Sequence, residues 1–195
     1  MLFDKITIIG IGLIGSSLAR VIMKKGLAGK LCACDKNKEY LAEARELGIV
    51  DEISEDLGKA VENADLVVYA TPVGAYGEIT RQIVPHLKKG VILTDVGSIK
   101  KYSIREIEEN LPENADVVVV PGHPVAGTEK SGPANGFDTL FEGRWYIVTP
   151  SSRSTEEAVA KVSELWAAAR MKVDKMTPEH HDKVMAAVSH LPHLI

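Results

Sequence analysis

Two stretches of this sequence carry side chains and spacings suited to chemistry, "ITIIGIGLIGSSLARVI" and "VVVVPGHPVAGTEKSG". In the second, His123 lies between Pro121-Gly122 and Pro124, directly after a run of four valines. Proline fixes its own φ and restricts the residue before it, so the sequence predicts a stiff turn that narrows the approach of the imidazole. An imidazole, with an unperturbed pKa of ~6.5, can take a proton at neutral pH. The competing reading is a turn histidine bonded to backbone. The first stretch contains Gly10-x-Gly12-x-x-Gly15 between an apolar run and an amphipathic one. In that pattern the first glycine permits a tight turn, the second lets backbone approach a pyrophosphate, and the third lets helix and strand pack closely. The N–H groups of the helix start, at Leu13, Ile14 and Gly15, then face the phosphates.

A lone glycine pattern is shared by many folds, but here it has its full context. Asp35 ends the next apolar run, twenty residues after Gly15. A carboxylate there accepts hydrogen bonds from ribose hydroxyls and repels a 2′-phosphate, which favours NAD over NADP. Lys36 and Lys38 follow at once and either soften that repulsion or stand as solvated surface lysines. A glycine turn without ligand and a methyltransferase-type nucleotide site are the rival readings. Thr71 and Pro72, in "YATPVGAYG", follow another apolar run, as do Gly97, Ser98 and Lys100 in "TDVGSIKK". Ligands of open α/β sheets bind outside the carboxyl ends of the strands. Thr71, Pro72 and Gly97 are therefore expected to line the cofactor cleft, and Ser98 and His123 to meet near a nicotinamide ring. A dehydrogenase needs such a base for the substrate hydroxyl as hydride leaves the same carbon.

The elements that must position these residues alternate along the chain. The apolar runs predict strands at Lys5–Gly10, Leu31–Asp35, Asp65–Thr71, Val91–Val96, Asp116–Pro121, Arg144–Thr149 and Met171–Lys175. Amphipathic periodicity predicts helices at Leu13–Lys25, Lys38–Leu47, Tyr76–Leu87, Lys101–Leu111, Thr155–Ala169 and from Pro178 to the end. "DLVVYAT" and "DVVVV" are nearly continuous in apolar residues, as strands covered on both faces are. The expected fold is a Rossmann-type, doubly wound α/β domain with a mainly parallel sheet, followed by the start of a helical domain. Thr155 with Glu156 and Glu157, and Thr177 with Pro178, read as helix starts. His86, in "VPHLKKG", reads as a surface helix cap. Val184, Val188 and Leu191 form an apolar stripe in a final helix that leads elsewhere.

The bulk numbers are those of a globular protein. The chain has 195 residues, 45% hydrophobic and 26% charged, with a net charge of −4. There is no basic field for nucleic acid, no apolar run approaches the roughly 20 residues of a membrane span, and the first residues lack a cleavable leader pattern. A cytoplasmic location is expected. Cys32 and Cys34, at i and i+2 on a strand, share a face and read as small buried residues. Redox and zinc spacings are both lacking.

Taken together, "GIGLIGSSLA", "TDVGSIK", "GHPVAGTEKSG" and the terminal "SHLPH" resemble the prephenate and arogenate dehydrogenases of tyrosine biosynthesis, in that family's order along essentially the whole chain. The resemblance implies an NAD-dependent oxidative decarboxylation, with prephenate or its amino counterpart arogenate as the small-molecule substrate. It implies His123 as the base for the ring hydroxyl and Ser98 as a serine that hydrogen-bonds both the histidine and the substrate hydroxyl region. Glu129 matches a glutamate linked with gating. Ser189, His190 and His193 match the segment that lines the substrate pocket. His190 and His193, at i and i+3, are the alternative of a metal pair, but no third ligand is evident and no metal is expected. The resemblance also implies a homodimer formed through a helical region beyond Ile195, which would supply an arginine for the substrate carboxylate. Neither Arg144 nor Arg153 is assigned that role by the motifs. Residues 1–177 are accordingly expected to form the dinucleotide-binding domain and 178–195 the opening helix of a substrate and dimerisation domain, in a longer protein. Another NAD(P)-dependent hydroxy-acid dehydrogenase, or a dinucleotide-binding module without catalysis, are the remaining alternatives.

Overall fold

A computed structural model describes residues 1–187. Six parallel strands form the main sheet: β1 (Phe3–Ile9), β2 (Ala28–Cys34), β3 (Glu52–Ser54), β4 (Leu66–Tyr69), β5 (Val91–Asp95) and β6 (Val117–Val120). Their order is β3-β2-β1-β4-β5-β6. The direction of winding reverses between β1 and β4, and that is where a doubly wound sheet opens a crevice at its carboxyl edge. The crossovers are α1 (Leu13–Lys25), α2 (Lys38–Glu46), α3 (Leu57–Val61), α4 (Tyr76–Ile83) and α5 (Lys100–Glu108). Strand alternation sorts the core into two faces. Ile6, Ile8, Leu31, Ala33, Leu66 and Val68 pack on one side with α1. Ile9, Cys32, Cys34, Val67, Tyr69 and Leu93 pack on the other. The shared face expected for the two cysteines is thus observed, and both are free thiols in the core.

Helix ends follow local chemistry. The α1 boundaries match those read from the sequence, and the helix stops at Gly26, whose φ of 60° is the left-handed cap conformation. Asn37 and Asp56 cap α2 and α3 by accepting backbone N–H bonds. The helix expected to run to Leu87 ends at Ile83 and gives way to a short 3-10 turn, Val84–His86, because Pro85 cannot continue the hydrogen-bond ladder. Exposed His86 lies in that turn and packs its ring over Gly58.

A second sheet corrects one expectation. The segment read as a stiff turn is a short strand, β7 (Gly122–Pro124). It pairs antiparallel with β8 (Trp145–Val148), placing His123 opposite Ile147. β8 pairs in parallel with β9 (Lys172–Lys175), and α6 (Glu156–Ala168) joins them. The strands expected at Arg144–Thr149 and Met171–Lys175 therefore exist but lie outside the main sheet. Pro121, which lacks an N–H, separates β6 from β7, and Pro124 is tolerated because β7 is an edge strand. Tyr146 of β8 stacks on Trp166 of α6 at 4.7 Å, and Phe141 meets Trp166 edge-on at 5.1 Å. These buried rings join the small sheet to the α1 side of the core. Last comes α7 (Pro178–Met185), which starts at Thr177, whose hydroxyl accepts from the His180 amide, and packs against α5.

Candidate active site

The glycine loop is built by close approach. Gly10 has a φ of 98°, and a Cβ there would lie 2.5 Å from the Ala70 carbonyl oxygen. A Cβ on Gly15 would lie 2.0 Å from the Gly10 oxygen. Only hydrogen fits at either position, and so α1 can start hard against the tip of β1. Gly12 differs: a Cβ there would meet nothing within 4 Å. Among the described residues the space above Gly12 is open and no side chain caps α1, and the first turn of α1 carries no acidic residue. Leu13 is buried and Ile14 half-buried, so both offer the site backbone rather than side chain. Beside the loop, the buried Thr71 hydroxyl has no hydrogen-bond partner among the described residues, while Pro72 is exposed. An uncapped helix start under open space, next to an orphaned hydroxyl, fits the phosphates of a dinucleotide.

Asp35 stands at the end of β2, where its two carboxylate oxygens accept from the Ile11 amide at 2.8 Å and the Asn37 amide at 2.9 Å. These bonds tie the carboxylate to the glycine loop itself, and each oxygen keeps a lone pair for a ribose hydroxyl. Lys38 turns away to pair with Glu55 at 2.8 Å.

A second constellation lies at the ends of β5 and β6. An open cavity of about 340 Å³ is lined by Ser98, His123, Val125, Ala126, Gly127, Arg144 and Met185. Ser98 and His123 thus both line one cavity. Beneath them, wholly buried Lys100 donates from Nζ to both oxygens of wholly buried Asp95, at 2.8 and 2.6 Å, and to the Gly122 carbonyl at 2.6 Å. Asp95 also accepts from the Gly97 and Gly122 amides. One ion pair therefore clamps the exit of β5, the start of α5 and the first residue of β7, and it fixes the backbone on either side of Ser98 and before His123.

His123 Nδ1 lies 3.0 Å from His181 Nε2, with the rings 5.2 Å apart edge-to-face. His181 Nδ1 lies 2.9 Å from Asp182 Oδ1. Asp182 in turn accepts from the Lys100 and Lys101 amides at 2.8 and 3.0 Å, capping α5 from a different helix. Burial pushes the Asp182 carboxyl up, but the Lys100 amide, His181 and the Lys101 amide outweigh it and hold it below its ordinary value. Burial pushes the wholly buried His181 down, aided by Lys100, against the pull of Asp182.

His181, Asp182, Arg144 and Met185 were not singled out as site residues from sequence. The adjacent His-Asp pair behind a Thr-Pro helix start was a signal in plain view, but its partner is 58 residues away. Glu129 is exposed and is not part of the cavity wall among the described residues. Arg153 is taken up by the Pro112, Glu113 and Ala115 carbonyls. Ser189, His190 and His193 lie outside the described residues.

A family model described as the prephenate dehydrogenase nucleotide-binding domain matches residues 18–175. The chain is 40% identical over 193 residues to a cyclohexadienyl dehydrogenase of Zymomonas mobilis, covering 99% of this chain and 65% of that one. It is 32% identical over 193 residues to a prephenate dehydrogenase of Bacillus subtilis, covering 98% and 52%. A crystal structure of an Aquifex aeolicus prephenate dehydrogenase with hydroxyphenyl propionate and NAD+ superposes with a TM-score of 0.88 at 34% identity, covering 98% of this chain and 66% of that one. The chain thus spans about half to two-thirds of the length of these relatives. A glycine loop shaped for a dinucleotide, a histidine at the carboxyl edge of the sheet and these likenesses agree: the chain belongs to the prephenate dehydrogenase family and carries its nucleotide-binding domain.

Proposed function

We propose that this protein oxidatively decarboxylates prephenate to 4-hydroxyphenylpyruvate in tyrosine biosynthesis, with NAD as hydride acceptor. The observation that carries the reading is that His123 and Ser98 both line one cavity at the carboxyl edge of a sheet whose glycine loop fits a dinucleotide. Gly10, Gly12 and Gly15 bring the phosphates onto the start of α1, and Asp35 receives the ribose hydroxyls. Bound there, NAD supplies a two-electron oxidant. His123 takes the proton of the substrate ring hydroxyl as hydride leaves the same carbon. The ring ketone so formed loses CO2, the bonding pair enters the ring, and the ring oxygen regains a proton as the phenol. Ser98 positions the hydroxyl. Arg144, which lines the same cavity, offers an anionic substrate a cation.

Residues 1–177 act as the dinucleotide domain. The segment from 178, with Ser189, His190 and His193, opens the substrate domain, and Glu129 gates the site. In this reading the protein works as a cytoplasmic homodimer joined through a region beyond Ile195. The Aquifex aeolicus structure bears NAD+ and an aromatic acid, which supports the cofactor and the substrate class.

The test is turnover by the full-length protein of prephenate and arogenate with NAD and NADP, following reduced nicotinamide. Prephenate with NAD should give the highest kcat/KM, and His123→Asn should lower kcat by about a hundredfold or more while NAD binding persists. Preference for arogenate would replace the substrate. NAD binding without turnover of either substrate would reduce the protein to a binding module.

A further inference from the structure

We infer that His181 and Asp182 are positioning residues that fix the tautomer of His123, so that its Nδ1 carries the proton and its Nε2 exchanges protons with substrate. The inference rests on the reading of His123 as the base and says which nitrogen does the work.

Two hydrogen bonds link Asp182 to His123 through His181. Asp182 Oδ1 belongs to a carboxylate that two backbone amides already address, so it can only accept. His181 Nδ1, 2.9 Å away, must therefore be the donor. A neutral imidazole with a proton on Nδ1 has a lone pair on Nε2. Burial favours that neutral state. His181 Nε2 must then accept, and the group 3.0 Å from it is His123 Nδ1, which has to donate. Neutral His123 with its proton on Nδ1 presents a basic Nε2. Among the described residues, the charged and titratable groups around His181 are His123 on β7, Asp182 on its own helix, Lys100 on α5 and Asp95 at the end of β5. When His123 gains a proton, its Nδ1–H still donates to His181, and the half-buried Asp182 carboxylate two hydrogen bonds away attracts the new charge. His181 thereby orients one ring with another ring, and Asp182 ties that orientation to the start of α5.

The test has two arms. In the first, nitrogen-15 histidine-labelled chain is examined by proton–nitrogen correlation at mildly alkaline pH, where the rings are neutral. Protons on Nδ1 of both His123 and His181 are expected. A proton on Nε2 of either ring would overturn the inference, whatever the protein turns over. In the second, the full-length protein carries His181→Phe, which keeps ring volume but removes the acceptor, or His181→Gln, which restores an acceptor near Nε2. His181→Phe should lower kcat about ten- to a hundredfold with KM and NAD affinity little changed, and should lower the pH at which kcat/KM reaches its plateau, because the protonated form of His123 loses its acceptor and the pull of Asp182. His181→Gln should recover most of kcat. Exposed His180→Gln, next in the chain, should change nothing. Equal losses in the Phe and Gln variants, or no loss in either, would show that His181 only fills space. If the unmodified protein does not oxidise prephenate, the proposed function fails, and the labelling arm still decides the tautomer.

Discussion

Replacing Lys100 by methionine tests the clamp beneath the site. Lys100 and Asp95 have no exposed surface, and the ammonium makes three hydrogen bonds of 2.6 to 2.8 Å. Lys100→Met keeps the length and apolar stem of the side chain but leaves the Asp95 carboxylate buried without its cation, with neutral donors such as the Gly97 and Gly122 amides. Removing one partner of a buried pair costs about 3–5 kcal/mol, because the other charge is stranded. For a chain of this size each kcal/mol shifts Tm by about 2–4 °C, so Tm should fall by about 6–20 °C. Neutralising the stranded group in the double variant Lys100→Met/Asp95→Asn should recover roughly half of the loss. The assay is thermal melting of the single and double variants followed by far-ultraviolet circular dichroism, assembled as a double-mutant cycle. A Lys100→Met chain melting within about 2 °C of the unmodified one, or losses that simply add, would refute the idea that this ion pair holds the β5, α5 and β7 junction together.

Gly12→Ala should leave Tm nearly unchanged, since its Cβ would meet open space, yet weaken NAD binding about tenfold or more by intruding on the phosphates. Gly15→Ala, whose Cβ would lie 2.0 Å from the Gly10 oxygen, should instead cost about 3 kcal/mol or more of stability; equal Tm losses in calorimetry would contradict the division between cradle and packing glycines. Burial raises the Cys32 thiol from its ordinary 9.0 to about 11 and Cys34 to about 12. The unfolded chain therefore loses these protons first, binds fewer of them above about pH 9, and stability should fall as pH rises through that window. Urea titrations at rising pH should show a flatter profile in a Cys32→Ala/Cys34→Ala variant, and identical slopes would mean the thiols ionise freely in the fold.

The cofactor half of the site was legible because its determinants are local. Gly10, Gly12 and Gly15 lie within six positions of one another, and their meaning depends on a strand before and a helix after, both of which have strong periodicity. Asp35 follows from the same reasoning, since β2 pairs in parallel with β1, Ile9 opposite Cys34, so that both strands end at the same edge. The short elements were not legible. β3 and α3 have three and five residues, too few for a period to emerge. β7 looked like a turn because prolines flank its histidine, and only its pairing to β8, more than twenty residues on, makes it a strand. His181 was the largest omission. Its neighbour Asp182 and the Thr177-Pro178 start were visible, but the role depends on α7 lying across α5, a contact between segments some eighty residues apart that no local pattern encodes.

That crossing of α7 over α5 gives the molecule a built-in reporter. The amides of Lys100 and Lys101 are the first donors of α5, and the carboxylate that receives them comes from α7. A helix start has no backbone acceptor of its own for such groups. Each departure of α7 would expose both amides to solvent deuterium and, in the same event, part His181 from His123. Hydrogen exchange at these two positions therefore counts how often the histidine loses its neighbour, and a tightly seated α7 should make them exchange more slowly than the first amides of α1, whose leading turn has no side-chain cap.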